Sequence, residues 1–161
     1  MKIVFIVPAS DLRRIPLYRL GGKIYGQSNS ITGPLILGGI LKKAGYQVEA
    51  YEELNARLPL KHLLKDTDIF CLSLMTSNAP RSYELADIIH KHSNARVIMG
   101  GMHPTWLPEE ALQHADQVIV GEGEKVILDV VEGRLNTRIV QGISLTNVDE
   151  APFDSFEIID S

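Results

Sequence analysis

Short apolar runs alternate with helical patterns along most of the chain. The first run, Ile3–Val7, consists of five apolar residues and is typical of a strand that is buried on both faces of a sheet. Similar runs predict four further strands, at residues 48–51, 68–75, 95–99 and 117–120. Strands that alternate with helices in this way indicate βαβ units, and therefore a parallel sheet.

The helical patterns begin and end at residues that suit the ends of helices. Leu37, Leu41 and Ala44 lie at helical spacing, and Gly45 follows them where glycine is favoured after a helix. Three later patterns begin near prolines, and the last pattern ends near Gly133. We therefore predict an α/β fold with a flavodoxin-like (Rossmann-like), doubly wound, five-stranded parallel sheet in the order 2-1-3-4-5. Residues 138–141 are a candidate for an extra edge strand.

Two segments depart from this regular alternation. Residues 8–32 join the first strand to the first helix, and they are far longer than the roughly two to six residues usual for such a connection. A loop of this length is normally functional or mobile. The segment 147–161 contains Pro152 and has little helical or strand periodicity, so it is interpreted as a linker. The predicted domain therefore covers residues 1–146.

Composition and charge exclude several classes of function. The chain has 161 residues, 45% of them hydrophobic and 22% charged, which is ordinary for one globular domain. A net charge of −4 disfavours nucleic acid as a partner. No apolar run approaches the roughly 18 residues of a membrane helix, and no signal peptide is evident, so we expect a cytoplasmic protein without a membrane partner. Cys71 is the only cysteine, which excludes an internal disulfide and any metal cluster built from several cysteines of this chain.

Small, polar and glycine residues follow three of the predicted strands. They occupy residues 75–80, 100–106 and 121–124. In open α/β sheets ligands bind outside the carboxyl ends of the strands, so these three segments are the candidate site. Turn chemistry alone would explain some of the glycines.

Each candidate residue has a structural interpretation beside the functional one. The pair Gly100 and Gly101 allows another group to approach the backbone closely, or forms a tight turn. One residue of the set Thr76, Ser77 and Asn78 is expected to cap the following helix, which leaves two for a ligand. The acids of residues 121–124 disfavour a phosphate but leave a neutral or cationic ligand open.

His103 and Cys71 are the remaining residues with reactive side chains near these loops. His103 either contacts a cofactor or is simply a hydrogen-bonded loop residue, and no second ligand lies at metal-binding spacing. Cys71, in the middle of a buried strand, is interpreted as an inert thiol. No nucleophile–base arrangement is evident, so we assign neither catalytic residues nor a metal site.

The three segments together resemble a known family. Residues 69–80, 97–105 and 115–124 are similar in sequence and order to the N-terminal cobalamin-binding domain of radical S-adenosylmethionine enzymes, and residues 33–48 fit its first helix and second strand. The resemblance implies that the corrin lies across the carboxyl edge of the sheet and that the nucleotide tail of cobalamin enters between sheet and helices. Gly100 and Gly101 would leave room for this tail, and Ser73 matches the serine of the third-strand motif.

The resemblance extends the set of expected cofactor-binding residues to all three segments. These residues are Ser73, Met75, Thr76, Ser77, Asn78, Gly100, Gly101, His103, Pro104, Thr105, Gly121, Glu122 and Gly123.

The sequence also departs from cobalamin proteins in two ways. The motif Asp-x-His-x-x-Gly does not follow the first strand, and no histidine precedes His62, so cobalamin is expected to bind without a lower axial histidine. The Cys-x-x-x-Cys-x-x-Cys motif of the radical domain is absent, although residues 149–154 resemble the linker that leads into that domain.

We therefore predict a cobalamin-binding module of a larger enzyme, with no activity of its own. Methyl transfer or related chemistry would belong to a catalytic domain outside this chain, which would also hold S-adenosylmethionine and a four-iron cluster. The alternative is a domain that has kept the fold without the cofactor and that binds a substrate or another protein.

Overall fold

The computed structural model describes residues 1–10, 31–53 and 58–144 of the chain. The linker predicted at 147–161 and most of the long segment 8–32 lie outside these residues. The strands are β1 (Lys2–Val7), β2 (Gln47–Glu52), β3 (Ile69–Ser73), β4 (Arg96–Gly100), β5 (Gln117–Val120) and β6 (Ile139–Gln141). They form one sheet in the order β2-β1-β3-β4-β5-β6, in which every neighbouring pair is parallel.

Helices connect the strands, as a parallel sheet requires. They are α1 (Thr32–Lys43), α2 (Leu60–Asp66), α3 (Ala79–His92), α4 (Met102–Trp106), α5 (Pro108–Ala111) and α6 (Ile127–Val131), with a 3₁₀ turn at Thr76–Asn78. Both the predicted strand order and the extra edge strand are confirmed, so the sheet has six strands rather than five. None of the helices in the described ranges has the length and apolar character needed to span a membrane.

Each strand contributes to two apolar layers because successive side chains point to opposite faces of a sheet. On one face, Phe70 and Met99 pack with Leu85 and Ile89 of α3. On the other face, Phe5, Cys71, Ile98 and Ile119 pack with residues of α1 and α6. The sheet is therefore covered on both sides, as the prediction of a doubly wound fold required.

The ends of β3 and β4 differ from the sequence prediction. β3 ends at Ser73 rather than at Met75, because the last bond of its ladder with β4 runs from the Leu74 amide to the Gly100 carbonyl oxygen at 2.9 Å. The Leu74 carbonyl then accepts from the His103 amide at 3.2 Å. Residues 102–106, predicted to be a loop, form α4, which is too short to produce a helical period in the sequence.

Candidate functional site

A cavity of about 400 Å³ lies at the carboxyl ends of the central strands, on the face that α1 and α6 cover. Its apolar lining includes four residues of the sheet, one of α1 and one of α6: Phe5, Cys71, Ile98, Ile119, Leu37 and Ile127. Gly33 and Pro34, at the start of α1, also line it. A volume and an apolar character of this kind are typical of small-molecule sites.

Polar groups lie around this apolar surface, on the segments that follow β3, β4 and β5. Seven of the expected cofactor-binding residues line the cavity: Ser73, Gly100, Gly101, Thr105, Gly121, Glu122 and Gly123. Glu124, which the sequence analysis left out of the site, lines it as well. Within the described part of the chain, the Ser73 hydroxyl group has no hydrogen-bond partner, so it remains available to a ligand.

Thr105 joins two of the cavity loops to each other. Its hydroxyl group donates to the Gly101 carbonyl at 2.8 Å and accepts from the Gly121 amide at 2.9 Å. The loop after β4 is thereby attached to the loop after β5. Thr105 thus has a positioning role in addition to lining the cavity.

The two adjacent glycines meet different structural requirements. Gly101 has a φ of +110°, and a Cβ atom there would lie 2.6 Å from the Leu74 carbonyl oxygen. Both facts require glycine for reasons internal to the protein. At Gly100 the nearest atom to a Cβ would be the Ile119 carbonyl oxygen at 3.9 Å, so the backbone accepts a side chain. Of these two glycines, Gly100 is the one whose lack of a side chain the surrounding protein does not explain.

The loop of residues 121–124 packs closely against its neighbours at two glycines. A Cβ atom at Gly123 would lie 3.5 Å from both terminal methyl groups of Leu37, so this loop packs closely against α1. Gly142, which sequence reasoning missed, packs against the backbone of Glu122, and its amide donates to the Val120 carbonyl at 2.7 Å. The loop is therefore held between α1 and the chain that follows β6.

The segment after β3 lies at the carboxyl edge, outside the cavity lining. Met75, Thr76 and Ser77 are exposed at the carboxyl edge, and none of them lines the cavity. Asn78 is fully buried: its Oδ1 accepts from the Met75 amide at 2.8 Å, and its Nδ2 donates to the Pro8 carbonyl at 3.0 Å. The Asn78 side chain thus ties the segment after β3 to the residue that follows β1. Direct contact of these four residues with a cofactor stays a prediction.

His103 and Pro104 are both buried in α4, outside the cavity lining. His103 is only 5% exposed, and its Nδ1 lies 3.2 Å from the Thr76 hydroxyl oxygen. Its Nε2 lies 3.0 Å from the Tyr83 hydroxyl and 3.3 Å from Oε1 of Glu110. Burial, together with the neighbouring Glu110 carboxylate, raises the pKa of the Tyr83 hydroxyl. Both imidazole nitrogens are engaged by protein groups, as the structural interpretation of His103 predicts.

Cys71 contributes its thiol group to the apolar surface of the cavity. Burial raises the pKa of this thiol to about 12, so it stays neutral at physiological pH. A neutral thiol is a poor nucleophile and metal ligand. In the described residues, no group of three or more histidine, cysteine, aspartate or glutamate side chains is arranged to hold a metal ion.

The comparison with protein families gives a match over most of the chain. The family model described as the B12 binding domain matches residues 29–131. Among curated proteins, the bacteriochlorophyllide d C-8(2)-methyltransferase of Chlorobaculum tepidum is 35% identical over 74 residues, which are 46% of this chain and 16% of that protein. The chain thus spans a small part of this relative.

Two solved structures share the fold over nearly the whole chain. The cobalamin-dependent S-adenosylmethionine radical enzyme OxsB, solved with aqua-cobalamin, has a TM-score of 0.63 and 19% identity, covering 93% of this chain and 22% of OxsB. The radical S-adenosylmethionine methyltransferase TsrM from Kitasatospora setae, solved with cobalamin and an iron–sulfur cluster, has a TM-score of 0.64 and 14% identity. It covers 94% of this chain and 30% of TsrM. Both solved proteins are therefore much longer than this chain.

Proposed function

The chain belongs to the B12-binding domain family, and we propose that it binds cobalamin as a module of a larger radical S-adenosylmethionine enzyme. The single observation that carries the proposal is the apolar cavity at the carboxyl ends of β3, β4 and β5. It lies between the sheet and the helices, where a corrin at the sheet edge would insert its nucleotide tail.

The residues that line the cavity fit this cofactor. Phe5, Ile98 and Ile119 offer an apolar surface to the flat, apolar base at the end of the tail. The Ser73 hydroxyl provides a polar group for the sugar–phosphate part. Gly100 keeps the wall free of a side chain, and the 400 Å³ volume lies within the range of small-molecule sites.

The role of this chain in the proposal is to bind and orient the cofactor and to shield its tail from water. Cobalamin, when bound, supplies a cobalt centre suited to methyl transfer and related radical chemistry. His103 already uses both ring nitrogens within the protein, so it would not be free to bind the cobalt of a bound cobalamin.

The catalytic steps belong to a second domain in this proposal. That domain would hold S-adenosylmethionine and the iron–sulfur cluster, and residues 147–161 would lead into it. Its chemistry would be methyl transfer, which the names of several longer relatives support. A reducing, cytoplasmic setting agrees with a lone cysteine that is kept as a buried thiol.

The proposal is tested by adding hydroxocobalamin to the purified chain, removing free cofactor by desalting, and recording the visible spectrum. We expect the corrin absorbance to elute with the protein in a one-to-one ratio. A chain that elutes without absorbance would contradict cobalamin binding and favour the alternative, a domain that kept the fold without the cofactor. A parallel sample unfolded in guanidinium chloride controls for non-specific retention.

A further inference from the structure

The sulfur-containing side chains of this protein differ sharply in their exposure. The chain has four methionines and one cysteine. Met99 is fully buried in β4, and Cys71 is buried in β3. Met1, Met75 and Met102 are exposed, and Met102 is the most exposed of the three, at 65%. The sulfur atoms that an oxidant in the solvent can reach are therefore thioethers, and the thiol is shielded.

Met102 combines this exposure with a place in the cavity wall. It is the first residue of α4 and lines the cavity, so a residue that solvent reaches this freely lies at the cavity mouth. Met75 is 44% exposed on the neighbouring segment, but it does not line the cavity. Met1 precedes β1, at the opposite edge of the sheet. Among the described residues, Met102 is thus the one exposed thioether in the cavity lining.

Hydrogen bonds on both sides of Met102 fix its backbone at the mouth. The carbonyl oxygen of Gly101 accepts from the Thr105 hydroxyl at 2.8 Å and from the Thr105 amide at 3.2 Å. The amide of His103 donates to the Leu74 carbonyl oxygen at 3.2 Å. The side chain of Met102 therefore starts from a fixed point, and a ligand that enters the cavity has to pass it.

Oxidation would change the chemistry of this position. A lone pair of the thioether sulfur attacks one oxygen of a peroxide, an S–O bond forms, and the O–O bond breaks. With hydrogen peroxide the second oxygen leaves as water, so the sulfur loses the two electrons that the peroxide gains. The product, a sulfoxide, is polar, whereas methionine is apolar.

The cavity offers a sulfoxide little compensation once a ligand excludes water from the mouth. None of the described residues that line the cavity is a lysine, an arginine, an asparagine or a glutamine. The hydroxyl hydrogen of Thr105 is already donated to Gly101, and the side chains of Glu122 and Glu124 add further acceptors. A polar oxygen that loses its water without gaining a partner opposes binding.

We propose that Met102 is a modification site, at which oxidation to the sulfoxide by a peroxide lowers the affinity of the cavity for a corrinoid. The inference rests on the proposed function, because it assumes that the cavity takes the nucleotide tail. It adds a form of regulation: the site is open while Met102 is reduced, and sulfoxide reduction restores it.

The experiment treats the purified chain with hydrogen peroxide, removes the excess with catalase, and then measures oxidation and binding separately. Peptide mass spectrometry gives the sulfoxide fraction at each methionine, and Met102 should be oxidised at least about tenfold faster than the buried Met99. Equilibrium dialysis with hydroxocobalamin gives the Kd, which should rise by about fivefold or more, or about 1 kcal/mol. Incubation with both methionine sulfoxide reductases and a thiol reductant should restore the original Kd.

Three variants identify Met102 as the source of the effect. Met102→Leu has no sulfur at the mouth, so its own Kd should be the same before and after treatment. Met75→Leu is the matched control, because it removes the other exposed thioether of the carboxyl edge and should show the same rise as the unchanged chain. Met102→Gln places a polar group at the mouth without any oxidant, and it should have a raised Kd before treatment.

Thermal melts separate an effect on binding from an effect on folding. Because Met102 is exposed, the melts of the treated and untreated chain should coincide. An unchanged Kd in a chain whose Met102 is fully oxidised would overturn the inference, and so would an equal rise in Met102→Leu or a fall in Tm that accounts for the lost binding. In these cases the untreated chain still binds hydroxocobalamin and the proposed function stands. An untreated chain that does not bind it would reject the proposed function, and this inference with it.

Discussion

Separate substitutions of Gly100 and Gly101 test whether each glycine is required by the ligand cavity or by the geometry of the turn. In Gly100→Val, the new Cβ atom meets no protein atom closer than 3.9 Å, and Gly100 is part of a β-strand, where valine is favoured. We therefore expect the free energy of unfolding to change by less than about 1 kcal/mol. The added methyl groups narrow the cavity, and the close-packed protein around it cannot readily shift to restore the space. The Kd for cobalamin should therefore rise by about tenfold or more.

Gly101→Ala should have the opposite profile. Its Cβ atom would lie 2.6 Å from the Leu74 carbonyl oxygen, and the residue would have to adopt a φ of +110°. Strain of this kind costs about 1–3 kcal/mol. For a chain of this size each kcal/mol lowers Tm by roughly 2–4 °C. The folded fraction should bind cobalamin with nearly unchanged affinity, because a single methyl group directed at Leu74 takes little of the cavity.

The assay measures the stability and the Kd for cobalamin of each purified variant. Thermal melting gives the first, and titration with cobalamin, followed by the fluorescence of Trp106, the only tryptophan of the chain, gives the second. Gly133→Ala is the control, since Gly133 has a φ of +74° and lies outside the cavity lining, so this variant should lower Tm without changing the Kd for cobalamin. The reasoning would be refuted by a Gly100→Val protein that is destabilised like Gly101→Ala yet binds cobalamin normally. Glycine at position 100 would then be required by the turn and not by the ligand.

Three further predictions concern Cys71, His103 and Thr105. At pH 8 the Cys71 thiol, with a pKa of about 12 instead of 9.0, should react with iodoacetamide roughly a thousandfold more slowly in the folded chain than in guanidinium chloride, and comparable rates would contradict its burial. The sign follows from the raised pKa, because the reactive thiolate forms only as pH approaches that value. In cob(II)alamin bound to the chain, His103→Ala should leave the electron paramagnetic resonance spectrum unchanged, and nitrogen splitting that vanishes in this variant would show that His103 binds cobalt. Thr105→Val removes the bonds to Gly101 and Gly121 and should lower the free energy of unfolding by about 1–2 kcal/mol in a urea titration, whereas an unchanged midpoint would show that the link between the loops is unimportant.

The positions of most strands followed from the sequence because those strands are continuous apolar runs. Ile3–Val7 and the runs of β3 to β5 are buried on both faces, which leaves a strong signal. The helix α4 gave no such signal, because five residues, with Pro104 among them, are too few to show a helical repeat of apolar positions. Strand alternation indicated that Phe5 and Ile98 are buried, but not that they line a cavity.

The parts of the site that depend on distant partners were beyond prediction. The buried position of Asn78 depends on a hydrogen bond to Pro8, a partner 70 residues away in the chain. His103 is likewise explained by Tyr83, which lies 20 residues earlier. The difference between Gly100 and Gly101 depends on the backbone of Leu74, which only the folded chain brings near.

The central claim is that the nucleotide tail of cobalamin occupies the cavity between the sheet and the helices α1 and α6. Hydrogen–deuterium exchange of the chain with cobalamin, compared with cobinamide, tests it most directly. We predict that cobalamin slows exchange at the start of α1 and in residues 121–127, and that cobinamide, which lacks the tail, leaves these amides unchanged. Equal protection by both corrinoids, or protection confined to α3 on the opposite face, would contradict the account.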